Sequence, residues 1–272
     1  MSNLIRRAGN SVLFFRALTV AWLCLFPVLF ASADGNTPKT DTSSHVLVSD
    51  SAAVHRLPPV VVFGFVGGNV HHDDSVHSTV KVAQRLRKDS PRNVHVETFE
   101  NNHMADAHGL LLYLLGAGRT GTLTDEQKQE ARIILYGHGS GARTVVALAE
   151  KLNSEGIPVL LTIQVDSAAK RGQNDAVIPE NVRYAANFYQ EKGLVHGQKP
   201  ITAADASRTQ ILGNFRMDYS DHPVSCEKSP WYTRVVQRSH NEIECDPHVW
   251  QKVEDLIREQ LPASVASMTN RP

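Results

Sequence analysis

Residues 59–68, PVVVFGFVGG, contain no polar side chain. A β-branched run without alternation has no face to offer water, so it predicts a strand covered on both faces, as in a parallel sheet. Residues 133–136 (IILY) and 158–167 (PVLLTIQVDS) predict two more buried strands. Helical patterns lie between them. Val76, Val80, Ala83 and Leu86 share one face of a helix over 76–87. Residues 105–115 form a Leu-rich helix, residues 144–152 another, and residues 249–261 an amphipathic closing helix. Residues 94–99 alternate as a strand, and residues 181–190 and 209–219 hold two further strand candidates. Strands alternating with helices predict an α/β fold: a three-layer sandwich, mostly parallel sheet with helices on both faces, over residues 58–262. Lys plus Arg and Asp plus Glu each number 28. That balance lacks the basic footprint of a nucleic-acid partner.

The chain start reads as an export signal. Arg6, Arg7 and Arg16 precede an apolar run over 17–30, and Ala31-Ser32-Ala33 supplies an A-x-A cleavage site. The competing reading is an uncleaved membrane anchor, for which the run falls short of the roughly 20 apolar residues of a span. With residues 1–33 removed, no stable membrane span is expected. Residues 34–57 are polar and predict a disordered linker, and residues 263–272 a flexible tail. Export leaves Cys226 and Cys245, a lone pair that reads as a disulfide in an oxidising compartment or else as two free buried thiols. By the loop-entropy account such a bridge stabilises by roughly 3 kcal/mol.

Three polar or glycine-rich stretches carry the chemistry. The first, His71-His72-Asp73-Asp74-Ser75-Val76-His77, mixes imidazoles and carboxylates. It reads either as a zinc or copper site or as a polar loop in which Asp74 or Ser75 caps the next helix. No metal or cofactor is assigned. The second, residues 116–127, has the outline of a calcium loop, but Gly116, Gly118 and Thr120 replace its acidic ligands. Thr124 reads instead as a helix N-cap, with Gln127 completing a capping box. The third, Gly137-His138-Gly139-Ser140-Gly141, joins a strand to a helix. A phosphate loop of the G-x-G-x-x-G kind does not fit Gly64, Gly67 and Gly68.

A strand running into G-x-S-x-G and a helix is the nucleophile elbow of α/β-hydrolases. The chain resembles that superfamily, in its lipase and esterase type, over roughly residues 59–261. The marks are Gly64-Phe65-Val66-Gly67-Gly68 after one strand, Gly137 to Gly141 after another, and His240 ahead of a last helix. The resemblance implies an acyl hydrolase taking a small-molecule or lipid-like ester and needing no cofactor. It implies Ser140 as nucleophile, His240 as base and then acid, and Asp166 as the acid that orients it, with Asp205 and Asp218 as rivals. It further implies an oxyanion hole from the backbone of Phe65, Val66 and Ser140. The chain departs from the pattern at its centre, because Gly139 fills the nucleophile slot and the serine falls one residue late. The alternative is therefore a catalytically silent hydrolase fold that binds a ligand or partner.

Overall fold

The computed structural model describes residues 58–168, 174–193, 197, 200–226 and 237–262. The signal peptide, the linker and the C-terminal tail expected from the sequence lie outside them.

Six strands, β1 (Val60–Val66), β2 (Val94–Glu100), β3 (Arg132–His138), β4 (Val159–Val165), β6 (Val182–Tyr189) and β8 (Gln210–Arg216), form one sheet in the order β2-β1-β3-β4-β6-β8. Every neighbouring pair in it is parallel. Short strands β5 (Val177–Ile178) and β7 (Thr202–Ala203) pair separately. The helices are α1 (Ser78–Asp89), α2 (Met104–Leu114), α3 (Asp125–Glu130), α4 (Ser140–Ser154), α5 (Arg238–Cys245) and α6 (Pro247–Arg258).

The apolar strands are buried on both faces because each face meets a helix layer. Val60 and Val62 of β1 and Ile134 and Tyr136 of β3 pack with Ala83 and Leu86 of α1 and Trp250 and Val253 of α6. Val61, Phe63, Ile133 and Leu135 face the other way, onto Ala107 and Leu111 of α2 and Val145, Leu148 and Leu152 of α4. This is the three-layer α/β sandwich expected from the sequence. The chain leaves β1 toward β2 on one side and continues from β3 toward β4 on the other. The order therefore reverses between β1 and β3, and in open α/β sheets the crevice at such a reversal, outside the strands' carboxyl ends, is where ligands bind.

The local forecasts divide. Thr124 caps α3 with a complete capping box: its side chain accepts from Gln127 N–H, and Gln127 reaches back to Thr124 N–H at 2.8 Å. Thr124→Ala should lower stability by about 1 kcal/mol, read from urea unfolding. Helix α1 begins later than residue 76, so Val76 is 39% exposed and outside the apolar face. Neither Asp74 nor Ser75 caps it: Asp74 Oδ1 accepts from Val76 N–H in the preceding turn, while Glu244 Oε1, from α5, accepts from Ser78 N–H. His240 lies within α5, a helix ahead of the closing one. Apolar periodicity misses this helix because part of its buried face is polar: Glu242 and Glu244 are buried beside Ile243. Asp246 then caps α6, with Pro247 at its start. Cys226 and Cys245 are joined in a disulfide, their Cα atoms 5.6 Å apart, which ties the end of α5 to the segment after β8.

Candidate active site

The carboxyl ends of β1 and β3 place Val66-Gly67-Gly68 beside His138-Gly139-Ser140. The glycines of the elbow answer to close approach. A Cβ on Gly141 would sit 2.2 Å from Phe65 O, and one on Gly137 would sit 2.7 Å from the Gly141 backbone. Side chains there would push α4 off β1 and β3. Gly139 has φ 56° and ψ −122°, a conformation that other residues adopt only under strain. The end of β4 braces this turn: Gly139 N–H donates to Val165 O at 2.9 Å, and Ala168 N–H donates to Gly139 O at 3.1 Å.

Asp166 follows β4 directly. It is fully buried and has φ 45°, left-handed and non-glycine. Its N–H donates to Phe188 O at 2.7 Å, and its Oδ2 accepts from Gln190 Nε2 at 3.0 Å. The same Oδ2 lies 2.6 Å from His240 Nδ1. A carboxylate on Nδ1 fixes the imidazole tautomer and presents Nε2, as in a hydrolase triad. The rival acids are engaged elsewhere. Asp205 Oδ1 accepts from Ser207 N–H and Oγ. Asp218 is held far below the usual carboxylate range by Ser220 and then Lys192.

His240 Nε2 points at Gly139: a Cβ built on that glycine would lie 3.2 Å from it and 3.1 Å from Cε1. Ser140 faces another way. Its Oγ accepts from Gly68 N–H at 2.9 Å, and among the described residues no hydrogen bond joins it to His240. The backbone of Phe65 and Val66 lies inside β1, paired with Gly137 of β3 and with Phe99 and Glu100 of β2. The loop atom nearest the Gly139 position is instead Gly67 Cα, at 4.0 Å.

His138 closes the inner wall. It is 7% exposed and stacks on His240 with ring centroids 4.5 Å apart. Burial holds its imidazole down at about 4, so it is neutral near pH 7. Its Nδ1 is 3.2 Å from Glu244 Oε2, yet among the described residues neither His138 Nε2 nor Glu244 Oε2 has a hydrogen-bond partner. Burial pushes the Glu244 carboxyl up, but His138, His77 and Ser78 N–H together bring it below its ordinary value. His77, in turn, is raised by its hydrogen bond to Glu244. Sequence reading missed Glu244 because its partners lie 166 and 167 residues away. Among the described residues no helix is long and apolar enough to cross a membrane.

No family model matches the chain, and no curated protein matches it in sequence. Among solved structures, the chain is similar to an acetylxylan esterase (12% identity, TM-score 0.37, covering 75% of this chain and 99% of that one). It is also similar to Est1E from Butyrivibrio proteoclasticus (11% identity, TM-score 0.36, covering 76% and 90%). A third is ClbQ from the colibactin NRPS/PKS pathway (10% identity, TM-score 0.34, covering 74% and 98%). At these values the likenesses say nothing about activity. The three-layer α/β architecture rests on the parallel sheet, its crossover between β1 and β3, and the helices on both faces.

Proposed function

We propose that this chain is an exported α/β-hydrolase-like protein that binds a small-molecule ligand at the crevice between β1 and β3 without forming a covalent acyl intermediate. The observation that carries the reading is the direction of His240 Nε2, toward the position where Gly139 has no side chain. An acid and a base are paired there, but nothing at that position can attack. Export is supported by the basic and apolar chain start ahead of Ala31-Ser32-Ala33 and by the Cys226–Cys245 bridge.

The second reading is a serine esterase that uses Ser140. The Asp166–His240 pair favours it, because a silent site has no need of a positioned base. In this reading the Ser140 hydroxyl leaves Gly68 N–H and rotates toward His240.

Labelling with a fluorophosphonate probe separates the two. On the first reading the wild-type protein carries no label, and short-chain aryl ester turnover is the same in Ser140→Ala. Label on Ser140, lost together with turnover in Ser140→Ala, would establish the second reading in its place.

A further inference from the structure

The loop after β1 brings a second set of reactive side chains to the C-terminal edge of the sheet. His71, His72 and Glu100 each offer one ligand atom, and these atoms lie within 4.8 Å of one another. Glu100 ends β2. Its Oε1 accepts from His72 N–H at 3.1 Å and lies 3.8 Å from His71 Nε2. His71 Nδ1 is 2.6 Å from Asp73 Oδ1. A carboxylate on Nδ1 leaves Nε2 as the free donor and fixes the ring, which is how metal-bound imidazoles are commonly oriented. A cavity of about 390 Å³ opens beside the cluster and is also lined by His103 and Asp106.

We infer that His71 Nε2, a ring nitrogen of His72 and the Glu100 carboxylate form a site for a divalent transition metal of the zinc class. Two imidazoles and one carboxylate suit zinc, which takes nitrogen donors readily, whereas calcium and magnesium ask for oxygen ligands throughout. Tetrahedral zinc at its usual bond lengths sets ligand atoms about 3.3 Å apart. The ligand atoms, within 4.8 Å of one another, would close to that spacing on binding, with the exposed His71–Asp73 pair shifting as a unit. The site differs from the sequence cluster His71-His72-Asp73-Asp74. Glu100 enters from a distant strand, Asp73 supports His71, and Asp74 turns back to Val76 N–H.

The cluster is wired to the crevice. Asn101, next to Glu100, donates from Nδ2 to Gly68 O at 2.5 Å, and Thr144 Oγ1 donates to Asn101 O at 2.7 Å. Metal binding therefore fastens the loop in which Gly67 and Gly68 border Gly139 and Ser140. The inference does not depend on which reading of the crevice holds.

The test is a zinc titration of the untagged chain against a chromophoric chelator. One zinc per chain is expected, with affinity at least tenfold weaker in both His72→Ala and Glu100→Gln. Zinc at about a hundred times Kd should raise Tm of the wild type by about 5–10 °C, and magnesium or calcium at the same concentration should not. Should circular dichroism show His72→Ala unfolded, His71→Ala takes its place and must meet the same tenfold threshold. Substoichiometric zinc, a loss below tenfold in either variant, or an equal Tm rise in Glu100→Gln would overturn the site.

Discussion

Gly139→Ser should gain hydrolysis of short-chain aryl esters at least about a hundredfold above the wild type, a small part of the roughly millionfold that a triad serine contributes. The geometry of the crevice sets the direction. A Cβ at residue 139 lies 3.2 Å from His240 Nε2, so an Oγ on it comes within hydrogen-bond reach of the base. Asp166 already holds the other ring nitrogen at 2.6 Å. Two costs oppose the gain. The new Cβ is slightly tight against the imidazole, which must give by a few tenths of an ångström. A side chain at φ 56° also adds strain, of the order of 1–3 kcal/mol, so the variant should unfold at lower urea. Gly139→Ala is the control, with a similar loss of stability and no gain of turnover. Adding His240→Ala to Gly139→Ser should abolish the gain. If Gly139→Ser folds and stays at the wild-type rate with no fluorophosphonate label at residue 139, a vacant nucleophile slot does not explain this crevice.

Strands β1, β3 and β4 were legible because burial on both faces leaves a run that is apolar or nearly so. The Thr124 capping box was legible because both its bonds close within three residues. Asp166 could be picked out as an acid at a strand end, but nothing local distinguishes it from Asp205 or Asp218; burial and the contact across 74 residues to His240 do. The missed features share a physical origin. Helix α5 hides from an apolar pattern because buried Glu244 on it finds partners at Ser78 of α1 and at the end of β3, while buried Glu242 pairs with Arg238 within the helix. Glu100 reads as the polar residue just past an alternating strand, and only the fold brings it to His71 and His72. The direction of the Ser140 hydroxyl depends on Gly68 N–H, 72 residues upstream.

Acid should destabilise this protein between about pH 6.5 and pH 4 through His138. Burial holds the folded imidazole at about 4 against 6.5 in the unfolded chain, so between those values the unfolded state binds the extra proton. Stability then rises with pH across that window, and the part owed to His138 is full above 6.5 and lost as pH falls to 4. A shift of that size is worth about 3 kcal/mol at most. The neighbouring groups act in other windows. His77 is raised, so its contribution is complete below 6.5 and fades only as pH climbs through its folded value. Glu244 is lowered, so its contribution holds above its unfolded value of 4.5 and fails only in stronger acid. Urea unfolding at intervals from pH 7.5 to 4 should therefore show its steepest decline between 6.5 and 4. His138→Gln keeps a polar side chain without a titrating ring, and it should flatten that decline even if stability at pH 7 also drops. An unchanged slope in His138→Gln would mean that the acid sensitivity lies elsewhere. Because His138 stacks on His240, its protonation also sets a positive charge against the base. Any activity gained through Gly139→Ser should accordingly fall more steeply as pH drops toward 4 than it does with His138→Gln added.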